Sequence, residues 1–285
     1  MQTQIKTYCI IGDPVQYSLS PAMQNAAFNS MHLLNCTYIA VRVSKEELKE
    51  SMCSLRAINI AGFNVTMPHK IDIIKYVDEL DLTAQKAHAV NTVHNLQGTF
   101  KAYNTDVYGF IKPLHRRKIS FNGMTILLLG SGGAARAVIA ALSEESDISK
   151  IIIASRNQKT ATGLADIGTR LGLQCDNVNI DKDNNIQKVA ARSHLIVNTI
   201  PTGANNKDSI IDHEHICKDS IVYDIVYKPV TTRLLEEAKY AQAQIVYGYE
   251  MLIEQGAKAF EIWTGMNAPR NTMKKALFGF FGEPV

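Results

Sequence analysis

The sequence feature that most constrains the fold is an apolar run that ends in a glycine-rich turn. Residues Met124–Leu129 have the apolar character of a strand buried in a parallel sheet. Gly130-Ser131-Gly132-Gly133-Ala134 follows at once, and the residues beyond it, to about Leu142, are predicted to form a helix. Parallel strands are joined by crossover connections, which are usually helices. This strand, turn and helix therefore predict an α/β fold with a Rossmann-like domain.

The same turn predicts a ligand. A backbone without side chains can approach a pyrophosphate, whose charge then meets the free N–H groups of the helix N-terminus. The spacing G-x-G-G-A departs from the G-x-G-x-x-G of dinucleotide-binding turns, so a tight turn without a ligand stays an alternative.

The end of the next strand indicates which dinucleotide is bound. It reads Ser155-Arg156-Asn157, where an NAD site places an acidic residue and an NADP site places an arginine. Arg156 would pair with the ribose 2′-phosphate, and Lys159 would add charge. The alternative is that Arg156 only follows a strand end, but the pattern favours NADP.

Strand and helix alternate twice along the chain. In the N-terminal half, the predicted strands are Thr7–Ile11, Tyr38–Val43, Ile60–Val65, Ala89–His94 and Thr99–Tyr103, with a turn at Gln97-Gly98. The predicted helices there run from Ser20 as N-cap to about Met31, from the capping box Ser44–Glu47 to about Ala57, after Pro68, and over Thr105–Arg117.

The pattern restarts in the C-terminal half. After the glycine-rich turn the predicted strands are Ile151–Ala154, Leu195–Asn198, Ile221–Asp224 and Ile245–Tyr247, and the predicted helices are Thr160–Leu171, Thr232–Ala241, Glu250–Trp263 and Asn271–Phe281. No strand follows the last two helices, so we expect both to pack on the N-terminal domain. The prediction is two α/β domains around a cleft: a substrate-binding domain with a mixed sheet (residues 1–106 and 249–285) and a Rossmann-like domain (107–248).

Composition excludes several classes of partner. The net charge of +3 is too small to argue for nucleic acid or an anionic membrane, and no apolar run reaches the roughly 18 residues that span a bilayer. The five cysteines are scattered without a CxxC pair, which argues against a disulfide framework or a zinc site. His213-Glu214-His215 lacks a third ligand, so we expect no metal. With no signal peptide at the N-terminus, we expect a cytoplasmic protein.

Four polar clusters follow predicted strands, where open α/β sheets bind ligands: Ser18-Leu19-Ser20, Asn64 and Thr66 with Lys70, Asn91-Thr92, and Asn104-Thr105-Asp106. In an extended loop the two serine hydroxyls would face one way and could hold a carboxylate, although Ser-x-Ser-Pro is also an ordinary helix start. The amide, hydroxyl and carboxylate groups of the other clusters suit the binding of a hydroxylated substrate, although each residue alone could serve a turn or a cap.

Taken together, these motifs resemble the shikimate dehydrogenase family. The resemblance runs in family order from residue 12 to 265 and rests on Gly12-Asp13-Pro14, Ser18–Pro21, Asn64–Lys70, Ala89–Val93, Asn104–Gly109, Gly130–Ala135, Asp224–Pro229, Gly248–Gln255 and Trp263-Thr264-Gly265.

The resemblance implies a role for each matching residue. Ser18 and Ser20, with Tyr227, match the binders of the shikimate carboxylate. The residues around the ring hydroxyls are matched by Asn64, Thr66, Asn91, Asp106 and Gln255, and the catalytic pair is matched by Lys70 and Asp106. Cofactor contacts are matched by Gly130, Ser131, Gly132, Gly133, Ala134, Ser155, Arg156, Asn157, Ile225 and Gly248.

The implied reaction is the reversible reduction of 3-dehydroshikimate to shikimate by NADPH, in chorismate and aromatic amino acid biosynthesis. Lys70 would donate the proton to the developing alkoxide, with Asp106 holding the ammonium group. The implied protein is a monomer or a homodimer.

The chain departs from the family pattern at three positions. Tyr17 stands where His is common, His88 where Gly is usual, and Ser155 where Asn precedes the cofactor-binding arginine. Two alternatives stay open: a quinate/shikimate dehydrogenase that uses NAD or NADP, and a non-catalytic NADP-binding regulator on the same fold.

Overall fold

The computed structural model describes residues 5–180, 185–201 and 209–282. The chain divides into two compact units, Met1–Gly109 with Ile253–Val285, and Phe110–Leu252. Each unit contains a six-stranded sheet flanked by helices. The predicted α/β class is therefore confirmed.

The first unit contains one six-stranded sheet and most of the N-terminal helices. Its strands are β1 (Lys6–Gly12), β2 (Cys36–Arg42), β3 (Gly62–Val65), β4 (Glu79–Leu80), β5 (Thr92–Leu96) and β6 (Thr99–Tyr103). Its helices are α1 (Ser20–Ser30), α2 (Leu48–Ala57), α3 (Leu82–Ala87) and the first residues of α4 (Thr105–Arg116). After the second unit, the chain returns in the long C-terminal helices α9 (Gly248–Thr264) and α10 (Arg270–Phe281), and α10 packs against α1.

The first sheet is mixed, as the sequence predicts. Its strand order is β2-β1-β3-β5-β6-β4. β1 runs parallel to both β2 and β3, whereas β5 is antiparallel to β3 and β6. The β5–β6 hairpin turns at Gln97 and Gly98, whose φ angles are 54° and 97°, as a type I′ turn requires.

An aromatic cluster fixes α9 to this sheet. The indole Nε1 of Trp263 donates to the carbonyl oxygen of Val93 at 3.0 Å. Its ring centroid lies 5.0 Å from that of Tyr8 and 6.0 Å from that of Tyr38. A side chain at Gly62 would collide with the indole. Glycine in β3 therefore allows the helix to approach the sheet closely.

The second unit is a doubly wound sheet of six parallel strands. Its strands are β7 (Thr125–Leu129), β8 (Lys150–Ser155), β9 (Cys175–Asn179), β10 (Leu195–Asn198), β11 (Ile221–Asp224) and β12 (Gln244–Tyr247). Its helices are α5 (Gly133–Leu142), α6 (Gln158–Arg170), α7 (Asn185–Ala190) and α8 (Arg233–Tyr240). The strand order is β12-β11-β10-β7-β8-β9. The chain adds strands outward from β7 on one side and outward from β10 on the other, which is the Rossmann arrangement. The predicted Rossmann-like domain is confirmed.

Some predicted elements differ from those observed. The helix predicted after Pro68 is a short 3₁₀ helix, Asp72–Tyr76. The β-branched residues Ile71, Ile73, Ile74 and Val77 disfavour a longer helix there. The short elements β4, α3, β9 and α7 were not predicted, because their sequences carry too few apolar residues to show a period.

The capping box at Ser44 forms only in part. The Glu47 carboxylate accepts from the Ser44 N–H at 2.9 Å, as a capping box requires. However, Glu47 is itself the N-cap, and α2 begins at Leu48. A turn occupies the intervening residues, so the helix starts one turn later than predicted.

Two further observations concern partners. Among the described residues, no helix combines the length and apolar character needed to cross a membrane. In the same part of the chain, no group of three or more His, Cys, Asp or Glu side chains is arranged to hold a metal ion.

Candidate active site

The side chains of Lys70 and Asp106 form an ion pair in the first unit. Lys70 Nζ and Asp106 Oδ2 are 2.6 Å apart, and 16% and 7% of the two side chains are exposed. Asp106 is the second residue of α4, where the helix dipole stabilises a carboxylate. The pair therefore holds an ammonium group at a partly accessible position beside a carboxylate in the first turn of a helix.

His69 holds the turn that carries Lys70. Its ring is buried, and its Nε2 lies 2.7 Å from the carbonyl oxygen of Val43. Its backbone N–H donates to Thr66 O at 3.0 Å, and Val43 N donates to Gly12 O at 3.1 Å. The imidazole thus ties the Lys70 turn to the ends of β1 and β2.

Asn91 fixes the orientation of Asp106. Its amide Nδ2 donates to Asp106 Oδ1 at 2.9 Å and to Thr105 Oγ1 at 3.0 Å, and it lies 3.4 Å from Gln255 Oε1. Its Oδ1 accepts from the Thr105 N–H at 2.7 Å. Both oxygens of Asp106 are therefore occupied, one by Lys70 and one by Asn91.

Asn64 joins the same network from β3. Its Nδ2 donates to the Asn91 carbonyl oxygen at 3.0 Å and to Thr92 Oγ1 at 2.9 Å, and its Oδ1 accepts from Tyr38 Oη at 2.7 Å. Thr92 Oγ1 lies 3.0 Å from Asn91 Oδ1 and 3.1 Å from Thr105 Oγ1. A continuous chain of hydrogen bonds therefore runs from Tyr38 to the ion pair.

The structure corrects two expectations about the serine pair. Ser20 is not the N-cap of α1, because Leu19 is the N-cap and Ser20 is the first helical residue. Leu19 has helical backbone angles, φ −88° and ψ −2°, so the segment is not extended and alternation does not set where the two hydroxyls point. Ser18 Oγ instead accepts from the Ser20 N–H at 3.3 Å, and Ser20 is buried.

Thr66 lies against the end of β1. Its N–H donates to the Ile11 carbonyl oxygen at 2.9 Å. A side chain at Gly12 would collide with the Thr66 side chain and the Met67 carbonyl oxygen. This close approach requires glycine and explains the Gly12 position in the motif.

The glycine-rich turn in the second unit has the geometry of a dinucleotide cradle. It follows the central strand β7, and Gly130 has φ +106°, which favours glycine. The N-cap of α5 is Gly132, which has no capping side chain, and a Cβ atom there would project into open space. The first N–H groups of α5 are thus available to an anion, and these residues fit a pyrophosphate.

A cluster of hydroxyls lies beside the turn. Ser131 Oγ is 3.0 Å from Ser155 Oγ and 2.7 Å from Thr160 Oγ1. Arg156 is exposed at the end of β8, and Asn157 caps α6 by accepting from the Thr160 N–H at 3.2 Å. The turn after β7 is therefore tied to the segment that carries the predicted 2′-phosphate arginine.

Ile225, Tyr227 and Gly248 lie on or beside the loop that follows β11. A side chain at Gly248 would collide with the carbonyl oxygens of Ile225 and Val226. Tyr227 is half-buried, and burial raises the pKa of its phenol. It belongs to the second unit, whereas the serine pair predicted to share its ligand belongs to the first.

Asp224 anchors this loop. It is fully buried at the end of β11 and accepts from Asn198 Nδ2 at 2.9 Å, Val226 N at 3.0 Å and Thr232 Oγ1 at 2.6 Å. Loss of hydration on burial raises the pKa of its carboxyl to about 6, against the lowering effect of these hydrogen bonds.

Sequence reasoning missed four residues that build the site: Tyr38, Thr92 and Thr105 in the hydrogen-bond network, and His69 beneath the Lys70 turn. Thr92 and Thr105 stand next to predicted site residues and were seen only as members of polar clusters. Tyr38 carried one usable signal, since a tyrosine on the inner face of a strand needs a partner for its hydroxyl. His69 gave none, because its role depends on the distant carbonyl of Val43.

Three family models match successive stretches of the chain. Residues 10–93 match the shikimate dehydrogenase substrate-binding domain, and residues 248–278 match the shikimate 5′-dehydrogenase C-terminal domain. Residues 126–245 match the saccharopine dehydrogenase NADP-binding domain. The last match lies within the unit that contains the glycine-rich cradle.

Whole-chain comparisons agree with these models. The chain is 45% identical over 276 residues to the shikimate dehydrogenase (NADP⁺) of Nitrosopumilus maritimus, covering 97% of this chain and 99% of that protein. It is 37% identical, with a TM-score of 0.88, to a shikimate dehydrogenase solved in complex with NADP⁺, covering 98% and 96% of the two chains. It is also similar to the quinate dehydrogenase of Corynebacterium glutamicum solved with NAD, at 26% identity, a TM-score of 0.87 and coverage of 97% and 100%.

The motif order, the Rossmann sheet and the length of the match to an NADP⁺-dependent relative lead to one conclusion: this chain belongs to the shikimate dehydrogenase family.

Proposed function

We propose that this protein is an NADP-dependent shikimate dehydrogenase that reversibly reduces 3-dehydroshikimate to shikimate in chorismate and aromatic amino acid biosynthesis. Family membership supports the activity. The observation that carries the chemistry is the 2.6 Å contact between Lys70 Nζ and Asp106 Oδ2, held inside a satisfied polar network. A lysine on an ordinary surface has no such support.

The two units are assigned different ligands in this proposal. Residues 1–106 and 249–285 bind the substrate, and residues 107–248 bind the cofactor. The serine pair and Tyr227 recognise the carboxylate of shikimate. The ring hydroxyls are bound by Asn64, Thr66, Asn91, Asp106 and Gln255.

The cofactor is assigned to the glycine-rich cradle. Gly130, Ser131, Gly132, Gly133 and Ala134 would hold the pyrophosphate at the N-terminus of α5. The ribose and its 2′-phosphate would be bound by Ser155, Arg156 and Asn157. Ile225 and Gly248 would border the nicotinamide end.

Proton transfer is the task of Lys70. The chemistry supplied by bound NADPH is hydride transfer to the carbonyl carbon of 3-dehydroshikimate. As negative charge develops on the carbonyl oxygen, the Lys70 ammonium stabilises it and donates a proton, which completes the hydroxyl group. Asp106 keeps the ammonium group in place, and Asn91 keeps Asp106 in place. In the oxidative direction, the neutral amine of Lys70 accepts the hydroxyl proton.

A quinate/shikimate dehydrogenase that uses NAD or NADP is the nearest alternative, and the similarity to a quinate dehydrogenase favours testing it. Arg156 without an acidic neighbour favours NADP. The test is the oxidation rate with shikimate and quinate, each with NADP and NAD. We expect shikimate with NADP to be the best pair, and faster turnover of quinate with NAD would overturn the assignment.

A non-catalytic NADP-binding regulator is the alternative from another class. Such a protein could lose Lys70 or Asp106, and this chain retains both in contact. Tight NADPH binding by purified protein that fails to oxidise shikimate would favour the regulator.

We also propose that the protein works in the reducing cytoplasm as a monomer or homodimer. Its five cysteines, Cys9, Cys36, Cys53, Cys175 and Cys217, are free thiols. Thiol titration of freshly purified protein should find five reduced cysteines, and sedimentation analysis would give the oligomeric state.

A further inference from the structure

We propose that Arg136, in the first turn of α5, is a cofactor-binding residue whose guanidinium group pairs with the pyrophosphate of the dinucleotide. The inference rests on the proposed function, because it requires the glycine-rich cradle to hold NADP. Arg136 directly follows the motif Gly130–Ala135 and lies outside the residues that the family resemblance assigns to the cofactor. It adds a charged side chain to a site otherwise built from backbone N–H groups and hydroxyls.

The guanidinium group of Arg136 has no charge partner. Its Nε is buried and makes no hydrogen bond, and burial lowers the pKa of the group with no carboxylate among the described residues to raise it again. The other partly buried arginines each form an ion pair with a carboxylate: Arg56, Arg117, Arg233 and Arg270. A partly buried cation without an anion destabilises the fold, because it loses hydration and gains no attraction in return. Arg136 is thus the exception that calls for an anion.

The position of Arg136 in α5 is also unfavourable for a cation. It is the fourth residue of the helix, and its N–H donates to the carbonyl oxygen of the N-cap residue Gly132 at 3.1 Å. The positive end of the helix dipole repels a cation in the first turn and attracts an anion. An anion bound at this end of α5 would therefore interact favourably with both the dipole and the guanidinium group.

Helix geometry brings the Arg136 side chain toward the cradle. The Cα–Cβ bonds of a helix tilt toward its N-terminus, so a side chain covers the turn that precedes its own Cα. For Arg136 that turn contains Gly132 and Gly133, and a Cβ atom at Gly132 would project into open space. The forked N–H donors of a guanidinium group match the oxygens of a phosphate. Arg136 therefore suits the pyrophosphate that the free N–H groups of α5 would hold.

Arg136 and Arg156 would then recognise different phosphates. Arg156 is exposed at the end of β8 and is assigned to the 2′-phosphate, which NADP carries and NAD lacks. The pyrophosphate is common to both dinucleotides. Arg136 should therefore contribute affinity for either cofactor, whereas Arg156 contributes the preference between them.

Replacement of Arg136 by methionine tests the contact, because methionine keeps an apolar stem and removes the charge. Arg136→Met should weaken binding of NADP, NAD and ADP by the same factor, roughly 10–100-fold, the size of a lost charged hydrogen bond. Binding of 2′-AMP, which carries only the 2′-phosphate, should be unchanged. Calorimetry on the unreacted ligands measures all four affinities, and wild-type affinity for ADP in this variant would overturn the proposal.

The conservative variant separates charge from geometry. Arg136→Lys keeps the positive charge but loses the fork, so it should recover part of the lost ADP affinity. An ADP affinity in Arg136→Lys no better than in Arg136→Met would show that a positive charge at this position does not attract the pyrophosphate, and would contradict the proposed ion pair.

The unpaired charge also predicts the direction of a stability change. Arg136→Met removes an uncompensated cation, so the urea midpoint of the ligand-free protein should equal or exceed that of wild type. An arginine that serves only the fold would give the opposite result, because its loss would leave a partner unsatisfied. A midpoint clearly below that of wild type would therefore count against the proposal.

Arg233 supplies a matched control in the same unit. It is the first residue of α8, is partly buried, and pairs with Glu236 and with the buried carboxylate of Glu237. Arg233→Met should lower the urea midpoint, because it leaves Glu237 without this partner, and it should leave ADP affinity unchanged. An equal loss of ADP affinity in both methionine variants would show that the effect at Arg136 is not specific, and would overturn the proposal.

Measurements on the full-length wild type separate this inference from the proposed function. If wild type binds NADP and oxidises shikimate, but Arg136→Met binds NADP and ADP equally tightly, the inference alone is overturned. If wild type binds no NADP, the assigned cofactor is wrong, and this inference fails with it.

Discussion

At the scale of single residues, the orientation of each polar side chain in the first unit is set by its hydrogen-bond partners. Asn91 meets Thr105, Asp106 and Gln255 with one amide group, and Asp106 meets Asn91 and Lys70 with its two oxygens. Each partner restricts the next, so the ammonium group of Lys70 is oriented by residues that it does not touch.

Replacement of Lys70 tests the proton-transfer role directly. Lys70→Ala should lower kcat for shikimate oxidation by about 10²–10⁴-fold, the usual size of a general acid–base contribution. Shikimate affinity by calorimetry should stay near that of wild type. Lys75→Ala is the matched control, because Lys75 lies in the following 3₁₀ helix and pairs with Asp72 on the surface. Undiminished turnover in Lys70→Ala would exclude the assigned role.

Asp224 should make stability depend on pH. Burial raises the pKa of its carboxyl from 3.8 to about 6 in the folded state. Below the unfolded pKa of 3.8 both states are protonated, so the contribution of this carboxyl to the free energy of unfolding is fully present. This contribution is lost as pH rises through about 6, because the carboxyl ionises more readily in the unfolded state. The loss amounts to about 3 kcal/mol.

Asp224→Asn should remove this pH dependence of the free energy of unfolding, because an amide at the same place cannot ionise. The difference in free energy of unfolding between the variant and wild type, from urea titrations, should therefore shift in favour of the variant between acid and neutral pH. Lowered pKa values at groups such as Asp13 and Asp78 act in the opposite direction and cancel in this difference. A difference that does not change with pH would contradict the prediction.

Arg156 should discriminate between the two dinucleotides. Arg156→Ala should weaken binding of NADP and of 2′,5′-ADP roughly 10–100-fold, as expected for lost charged hydrogen bonds, and leave NAD binding little changed. Calorimetry on the unreacted ligands measures this without turnover. Arg170→Ala is the control, because Arg170 is exposed in the last turn of α6, at the opposite end of that helix from Arg156. Equal losses for NADP and NAD would show that Arg156 does not contact the 2′-phosphate.

At the scale of elements, the sequence predicted those with a strong pattern and missed those that tertiary contacts create. The strands Leu195–Asn198, Ile221–Asp224 and Thr99–Tyr103 have the predicted bounds, because apolar runs or alternation between turn signals define them. β9 has a polar sequence and becomes a strand through pairing with β8. The prediction of an α-helix after Pro68 is wrong, because the isoleucines there give an apolar pattern that a 3₁₀ helix satisfies equally well.

The candidate site also has a part that the sequence predicts and a part that only tertiary contacts create. The motif residues were named from the sequence, but the order of their hydrogen bonds was not, since Tyr38, Asn64 and Thr92 are far apart in the chain. Only the pairing of β1, β2, β3 and β5 brings them together.

The end of α3 explains one departure from the family pattern. His88 is the C-cap and has φ 45° and ψ 39°, the left-handed region that favours glycine. His88→Gly should therefore be more stable than His88→Ala by about 1 kcal/mol, because both lose the imidazole but only alanine keeps the strained β-carbon. Equilibrium denaturation of the two variants measures this, and an alanine variant as stable as the glycine variant would contradict it.

At the scale of the whole molecule, the two units each have their own sheet and core, and the proposal gives each its own ligand. Shikimate should slow amide hydrogen exchange in segments 64–70 and 91–106, and NADP should slow it in segments 129–136 and 155–160. With each ligand at 100 times its Kd, the protection should reach about 2.7 kcal/mol. Protection of the glycine-rich turn by shikimate alone would contradict the assignment of ligands to units.

The aromatic cluster on the first sheet has an optical consequence. Trp263 is the one tryptophan in the chain, and its indole is buried against Tyr8 and Tyr38 with its N–H bonded to Val93. Indole emission shifts to longer wavelength when the ring meets water, so the tryptophan emission of this protein, excited selectively over tyrosine, reports the unfolding of the unit that contains Trp263. Circular dichroism records the helices of both units. A comparison of the two signals during denaturation would therefore tell whether the units lose their structure together or in sequence, without any label.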